Sequence, residues 1–207
     1  MKTLAILLIS FLFSTCVKSQ SQSSKPKLIG GSCEGCEAIY EYGAKKLKSV
    51  DTLPDFELME NKIKIFGTVY QKDGKTPAKD VLLYFYHTND KGIYPSKPDS
   101  KGWEKRHGYI RGWVKTDSKG KYTIYTSRPA SYPNSSMPQH IHVTVKEPDK
   151  NEYYIDDVFF ADDPNLIPQV KNNKIPRAGS GIITLTGNGT KQGKRDIVLG
   201  LNIPNYN

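Results

Sequence analysis

Two histidines separated by one residue are the first feature of the sequence that could do chemistry. His140 and His142 begin the segment HIHVTVK, whose β-branched residues are typical of a strand. Side chains at positions i and i+2 of a strand leave the same face, so both imidazoles would reach one point. The pair could bind a metal ion, or it could be two exposed strand histidines. The spacing alone leaves both interpretations open.

The residues available as further ligands favour iron. No third His, Cys or acid stands at an obvious ligand spacing, since Glu147 and Asp149 lie beyond the far end of the same strand. A zinc or copper site would need more nitrogen or sulfur ligands than this. Tyrosine is abundant instead, with 13 Tyr against 7 Phe. A phenolate is a hard oxygen donor that suits ferric iron, and iron binding would remove the proton from a phenol whose ordinary pKa is about 10.

Short strands must position these residues. Runs rich in β-branched and aromatic residues are divided by turn residues, without long helices between them, which predicts an antiparallel β-sandwich. The predicted strands are residues 63–70, 81–87, 109–116, 121–127, 140–146, 152–160, 182–187 and 195–202. Residues 36–47 predict a short helix before the sandwich. The fold class is therefore all-β with a short N-terminal helical extension.

The chain divides into three parts. We expect a signal peptide at residues 1–19, a flexible leader with a Cys-Glu-Gly-Cys extension at 20–61, and one sandwich domain at 62–207. The tail from residue 171 onward would complete the sandwich or cover the site.

The N-terminus predicts a secreted or periplasmic protein. Lys2 precedes an apolar run at residues 4–13, which is shorter than the roughly 20 residues of a membrane span and is typical of a signal peptide. Val17 and Ser19 place the cleavage near residue 19. Cys16 offers the alternative of a lipid anchor, which Phe13 and Thr15 fit poorly.

The other two cysteines, Cys33 and Cys36, predict a local disulfide. Such a bond forms readily in an oxidising compartment. A zinc site would need a second cysteine pair, and a thioredoxin-like role would need a strand where Gly30, Gly31 and Ser32 stand.

The net charge of +9 does not indicate nucleic-acid binding. The basic residues are mostly lysines scattered among acids, and the densest group, residues 45–48, lies in no RNA-binding motif. A lysine-rich surface of this kind is usually a solvated one.

Four segments in order carry a resemblance to a known family. They are residues 84–94 (YFYHTNDKGIY), 116–124 (TDSKGKYTI), 128–142 with RPASYP and HIH at its ends, and 157–164 (DVFFADDP). Their order and spacing resemble the intradiol ring-cleavage dioxygenases, the catechol and protocatechuate dioxygenase family, and in particular its secreted branch. The resemblance covers residues 62–164, about half of the chain.

The resemblance implies a site and a reaction. It implies a mononuclear Fe(III) bound by Tyr94, Tyr132, His140 and His142, with Tyr94 and His140 equatorial and Tyr132 and His142 axial. A catechol would displace a hydroxide and Tyr132, each of which can take a substrate proton, so Tyr132 is also the candidate catalytic residue. Cleavage with O2 between the hydroxylated carbons would give a muconate-type diacid without a reduced cofactor. The partners would be a small catechol-type substrate and O2, and a homo-oligomer stays open.

The chain departs from the family pattern near the predicted ligands. Met137 stands three residues before the first histidine, where the best-known members have an arginine, and Asp157 stands where they often place a glutamine. The connection from Tyr132 to His140 is also shorter. A missing cation would reduce stabilisation of charge on the substrate.

Two other functions compete with this one. Residues 63–86 resemble the opening of transthyretin-like and carboxypeptidase-regulatory sandwiches, which favours a non-catalytic binding module. A copper or zinc protein would use His140 and His142 and keep its metal without the tyrosines. His87 and His107 are expected to be structural or exposed, and Arg111 to support the site from a neighbouring strand.

Overall fold

Alternating apolar residues form the strands of two packed β-sheets. The computed structural model describes residues 28–206. The strands are β1 (Val50–Thr52), β2 (Lys62–Tyr70), β3 (Leu82–Tyr86), β4 (Arg111–Lys115), β5 (Lys121–Ser127), β6 (His140–Lys146), β7 (Tyr153–Tyr154), β8 (Val158–Phe160), β9 (Ile182–Ile183), β10 (Lys191–Lys194) and β11 (Ile197–Val198). The helices are short: 3₁₀ turns at Cys36–Tyr40 and Phe56–Leu58, α1 at Glu104–His107 and α2 at Pro168–Lys171.

The strands pair in two mixed sheets. The first sheet has the order β1-β5-β2-β10, with β11 also paired to β2, and the second has the order β4-β3-β6-β8-β9, with β7 also paired to β6. The long pairs β2–β5, β3–β4 and β3–β6 are antiparallel. The edge strands β1, β9, β10 and β11 add in parallel.

The predicted all-β sandwich is confirmed, with differences in detail. Strands β5 and β6 have the predicted bounds, whereas the predicted strand 152–160 is divided into β7 and β8 by Ile155, Asp156 and Asp157. The edge strands β1, β9, β10 and β11 run parallel to the strands they pair with, so the sandwich is not purely antiparallel as predicted. The first sheet also recruits β1 from the segment that we expected to be a flexible leader, because Val50 to Thr52 pair with β5.

The core lies between the inner faces of the sheets. Apolar side chains of β2, such as Ile63 and Ile65, pack with Leu83 and Phe85 of β3 and the alternate residues of β6. The residues between them, including Tyr84 of β3, point to the outer face of the second sheet. His140 and His142 alternate with the core residue Ile141, so they share this outer face.

The N-terminal segment, residues 28–47, covers part of the outer face. Its 3₁₀ turn is shorter than the predicted helix, but Ala38 and Ile39 are fully buried against Tyr84 and Trp113. Glu41 fixes the segment, accepting hydrogen bonds from the Arg111 guanidinium at 2.6 Å and from the Trp103 amide at 3.0 Å. The predicted disulfide between Cys33 and Cys36 is confirmed.

The predicted signal peptide and Cys16 lie outside the described residues. Within residues 28–206, no helix has the length and apolar character needed to cross a membrane.

Candidate metal centre

The four predicted ligands meet at one point on the outer face of the second sheet. Tyr94 Oη lies 2.6 Å from Tyr132 Oη and 2.8 Å from His142 Nε2. Tyr132 Oη lies 3.1 Å from His140 Nε2 and 3.4 Å from His142 Nε2. The fold thus gathers two phenol oxygens and two imidazole nitrogens, which we call the Tyr–His cluster.

Strand β6 supplies both histidines from the middle of the sheet. It pairs with β3 on one side, where His142 is opposite Tyr86, and with β8 on the other, where His140 is opposite Phe159. The Tyr86 ring stacks on His142 at 4.5 Å between centroids. Pairing on both sides fixes the backbone that carries the two imidazoles.

Two loops bring the tyrosines to the histidines. The Tyr94 loop turns at Asn89, whose side-chain oxygen accepts hydrogen bonds from the amides of Lys91 and Ile93. Gly92 has a φ of 74° and approaches the Tyr132 loop so closely that a Cβ atom there would lie 1.9 Å from the Ser131 carbonyl oxygen. Only glycine fits this position, so Gly92 sets the separation of the two loops.

Each histidine is oriented by an acceptor on the side away from the cluster. His140 Nδ1 lies 2.7 Å from the Pro138 carbonyl oxygen, and His142 Nδ1 lies 3.1 Å from Asp157 Oδ1. Both Nδ1 atoms therefore donate, and both Nε2 atoms turn their lone pairs to the cluster. Metal-binding histidines have this arrangement in general.

Burial sets the protonation of the cluster. It raises the pKa of Tyr94, and the hydrogen bond with Tyr132 raises that pKa further. Burial also raises the pKa of Tyr132 and lowers the pKa of His140. Near neutral pH the protein therefore presents protonated phenols and a neutral His140, and a bound cation would have to displace the phenol protons.

The donor atoms fit ferric iron. Two phenol hydroxyls and two imidazole Nε2 atoms share hydrogen bonds of 2.6–3.4 Å. The hydroxyls can lose their protons and the Nε2 atoms carry none, so all four atoms can become metal ligands. Two phenolates would supply the hard anionic donors that a trivalent cation prefers.

Asp157 offers a second way to hold a metal. Ligand atoms of His140, His142 and Asp157 all lie within 4.8 Å of one another. However, Asp157 faces Nδ1 of His142, whereas the tyrosines face Nε2. Because these atoms are on opposite sides of the ring, Asp157 orients His142 for the Tyr–His cluster and is not itself one of its members.

The other residues considered from the sequence have different places. Arg111 lies outside the Tyr–His cluster, because its guanidinium donates hydrogen bonds to Glu41 and Glu104 instead. His87 is fully buried between the sheets and contacts Thr126 of β5 at 2.6 Å. Met137 is 43% exposed and brings no charge to the site.

Sequence reasoning missed the aromatic support behind His142. Tyr86 lies between His142 and His107, with the His107 ring 3.8 Å away and almost parallel. His107 Nδ1 in turn lies 3.0 Å from the hydroxyl of Tyr84. Tyr84 and Tyr86 are two residues apart on β3, so strand periodicity places both on one face. The register between β3 and β6 makes this the face that carries His142.

A family model and a curated relative both match this chain. A family model described as dioxygenase matches residues 38–177. Catechol 1,2-dioxygenase 1 of Acinetobacter lwoffii is 32% identical over 111 residues, which are 54% of this chain and 33% of the relative. The match thus spans about a third of that curated relative.

Solved structures share the fold at low sequence identity. The dioxygenase domain of a dioxygenase–carbohydrate-binding protein fusion from Streptomyces sp. SirexAA-E has a TM-score of 0.54 at 22% identity, over 77% of this chain and 94% of that one. Catechol 1,2-dioxygenase from Pseudomonas arvilla C-1 has a TM-score of 0.57 at 18% identity, over 84% of this chain and 61% of that one.

Proposed function

Because this chain belongs to the intradiol ring-cleavage dioxygenase family, we propose that it is an Fe(III)-dependent enzyme that cleaves a catechol-type ring with O2 to a muconate-type diacid. The observation that carries the proposal is the convergence of Tyr94, Tyr132, His140 and His142. A binding module would have no use for four potential ligands at one point.

The four residues have different roles in the proposed site. Tyr94, His140 and His142 would hold the metal throughout, since each is fixed by its loop or by an acceptor on Nδ1. When bound, ferric iron supplies a Lewis acid that withdraws electron density from a catecholate and makes it reactive toward O2. The protein's part is to keep this donor set together and correctly oriented.

Tyr132 is the proposed base. Its hydroxyl oxygen contacts Tyr94, His140 and His142, so it lies at the centre of the cluster. As a phenolate it would accept a proton from a catechol hydroxyl at Oη when the substrate takes its place. Its loop is held on one side by the contact of Gly92 with Ser131, which leaves the ring as the moving part.

We also propose that the protein acts outside the cytoplasm. The Cys33–Cys36 disulfide supports this, because structural disulfides persist mainly in oxidising compartments. The apolar run at residues 4–13 has the length of a signal-peptide core.

Oxygen labelling tests the proposed reaction. The iron-loaded protein is given catechol under ¹⁸O₂, and oxygen uptake and product mass are measured. Intradiol cleavage predicts a diacid with one labelled oxygen in each carboxyl group. No oxygen uptake, or a ring-opened aldehyde, would contradict the proposal. His142→Ala is the inactive control.

A further inference from the structure

Arg195 is a buried cation between the two sheets, with only 2% of the residue exposed. Its amide donates a hydrogen bond to the Phe66 carbonyl of β2, and its carbonyl oxygen accepts one from the Tyr122 hydroxyl at 2.8 Å. None of its three guanidinium nitrogens has a hydrogen-bond partner within residues 28–206. Because an unpaired buried charge costs far more than an apolar side chain of the same size, packing alone would not favour an arginine here.

The guanidinium of Arg195 reaches from the first sheet to the segment behind the metal centre. A Cβ atom added to Gly181 would lie 1.9 Å from the Asp157 carbonyl oxygen and 3.4 Å from Arg195 Nη1, so the guanidinium lies beside the Asp157 backbone. The Asp157 carboxylate in turn contacts His142 Nδ1 at 3.1 Å. Arg195, Asp157 and His142 therefore form a series that ends at a predicted metal ligand.

The charge of Arg195 is not neutralised by a bonded carboxylate. Arg111, the arginine first considered for the site, donates hydrogen bonds to two carboxylates. Arg195 differs, because Asp156 and Asp157 attract its guanidinium only through space. In the interior, where water and salt screen little, such a charge acts over a longer distance than a charge at the surface.

Charge balance at the metal centre gives this cation a function. Two ionised tyrosines, Tyr94 and Tyr132, and the Asp157 carboxylate carry three negative charges, which equal the charge of ferric iron. A doubly ionised catechol that replaces Tyr132 would leave this set with one negative charge in excess. The single positive charge of Arg195 offsets that excess.

We propose that Arg195 is a positioning residue of the metal centre, whose buried charge offsets that of Asp157 and thereby favours binding of a doubly ionised catechol. This inference rests on the proposed function, because it takes ferric iron as the metal and a catechol as the ligand. Arg195 acts through Asp157 and by its charge alone, since its guanidinium makes no hydrogen bond within the described chain.

Removal of the buried charge tests the proposal without turnover. The reduction potential of the iron-loaded protein is measured, and its Kd for catechol is obtained without O2 from the change in visible absorption. Arg195→Met should lower the potential by about 59 mV, which corresponds to a tenfold change in the ratio of the Fe(III) and Fe(II) affinities. It should also raise the catechol Kd about tenfold, because the offsetting cation is lost.

The neighbouring residue provides the matched control. Lys194→Met removes the same charge one residue away, but Lys194 is 57% exposed and is paired with Asp196, so both measured quantities should stay unchanged. Arg195→Gln is a second neutral variant and should reproduce the shifts of Arg195→Met. Urea unfolding of the metal-free proteins should show Arg195→Met to be at least as stable as the wild type, because no hydrogen bond of the guanidinium is lost.

A double variant tests whether Arg195 acts through Asp157. Asp157→Asn removes the carboxylate charge and keeps an oxygen that can accept the His142 Nδ1 proton. It should raise the reduction potential, and the combination with Arg195→Met should bring the potential back toward the wild-type value.

The outcomes separate this inference from the proposed function. A potential and a catechol Kd that Arg195→Met and Arg195→Gln leave unchanged overturn the role of Arg195. Failure of both variants to fold would make Arg195 a structural residue and would also overturn it. The expected shifts in a protein that consumes no oxygen would support the inference and refute the dioxygenase reaction. A wild-type protein that retains no iron would refute both.

Discussion

His142 Nδ1 and Asp157 Oδ1 are 3.1 Å apart, on the side of the imidazole opposite Tyr94. Burial opposes ionisation of Asp157, but His142, His140 and Arg195 together outweigh it and leave the pKa of this carboxyl below its usual value. The carboxylate thus holds the Nδ1 proton and leaves Nε2 free for a metal. Asp157 departs from the family pattern, and in this chain it orients the His142 ring.

Loss of Asp157 should weaken iron binding without removing it. We expect Asp157→Ala to raise the Kd for iron by about 10–100-fold, because His142 would lose the acceptor that fixes its ring. Competition with a chelator measures the Kd. The control is Asp156→Ala, since Asp156 instead accepts a hydrogen bond from Asn173. Equal effects of the two variants would contradict the assigned role.

The tyrosines distinguish a ferric site from a copper or zinc site. Tyr94→Phe with Tyr132→Phe should abolish retention of ferric iron, because the two anionic oxygen donors are lost. Metal content after dialysis measures this. Tyr125→Phe, on the first sheet, should keep the metal. If the double variant retains metal as fully as the wild type, the histidines bind it alone.

Gly92 should control the assembly of the ligands. A Cβ atom there meets the Ser131 carbonyl oxygen at 1.9 Å, so Gly92→Ala should push the Tyr94 and Tyr132 loops apart and weaken iron binding at least tenfold. Gly189→Ala is the matched control, because Gly189 has a similar φ of 70° but no atom within 4 Å of the added Cβ. Both variants place an alanine at a positive φ, which reduces the free energy of unfolding by roughly 1–2 kcal/mol, but only Gly92→Ala should change metal affinity.

His87 should make the protein less stable in mild acid. Burial lowers the pKa of His87 to about 4, whereas an unfolded histidine titrates near its ordinary value of about 6.5. Between these values the unfolded chain binds a proton that the folded protein does not. The free energy of unfolding should therefore fall as pH decreases from about 6.5 to about 4, by about 1.4 kcal/mol per pH unit from this residue.

A non-titrating variant isolates that contribution. Urea unfolding of the metal-free protein at pH 7, 6 and 5 should show a shallower loss of stability in His87→Gln than in the wild type. The same pH dependence in both proteins would contradict the burial of a neutral His87.

The residues of the site differ in how far the sequence could predict them. His140 and His142 follow from strand periodicity, since β6 has the predicted bounds. Tyr94 and Tyr132 were identified through the family resemblance, because loop tyrosines have no periodic pattern. The role of Asp157 depends on the register between β6 and β8, which local sequence does not determine.

The fold was predictable where strands are long and amphipathic. β2, β5 and β6 fit that description, whereas β10 (KQGK) has no apolar pattern and exists because it pairs with β2. The packing of residues 28–47 was missed because Ala38 and Ile39 form only a small apolar pair, buried by distant residues such as Trp113.

The visible absorption spectrum of the aerobic, iron-loaded protein tests the Tyr–His cluster most directly. A tyrosinate-to-Fe(III) charge-transfer band, which makes the protein red, shifts when catechol is added without O2 and weakens in Tyr94→Phe, is the predicted result. A colourless protein under metal-replete conditions, or a spectrum that catechol does not change, would contradict the assignment of Tyr94 and Tyr132 as ligands at an open substrate site.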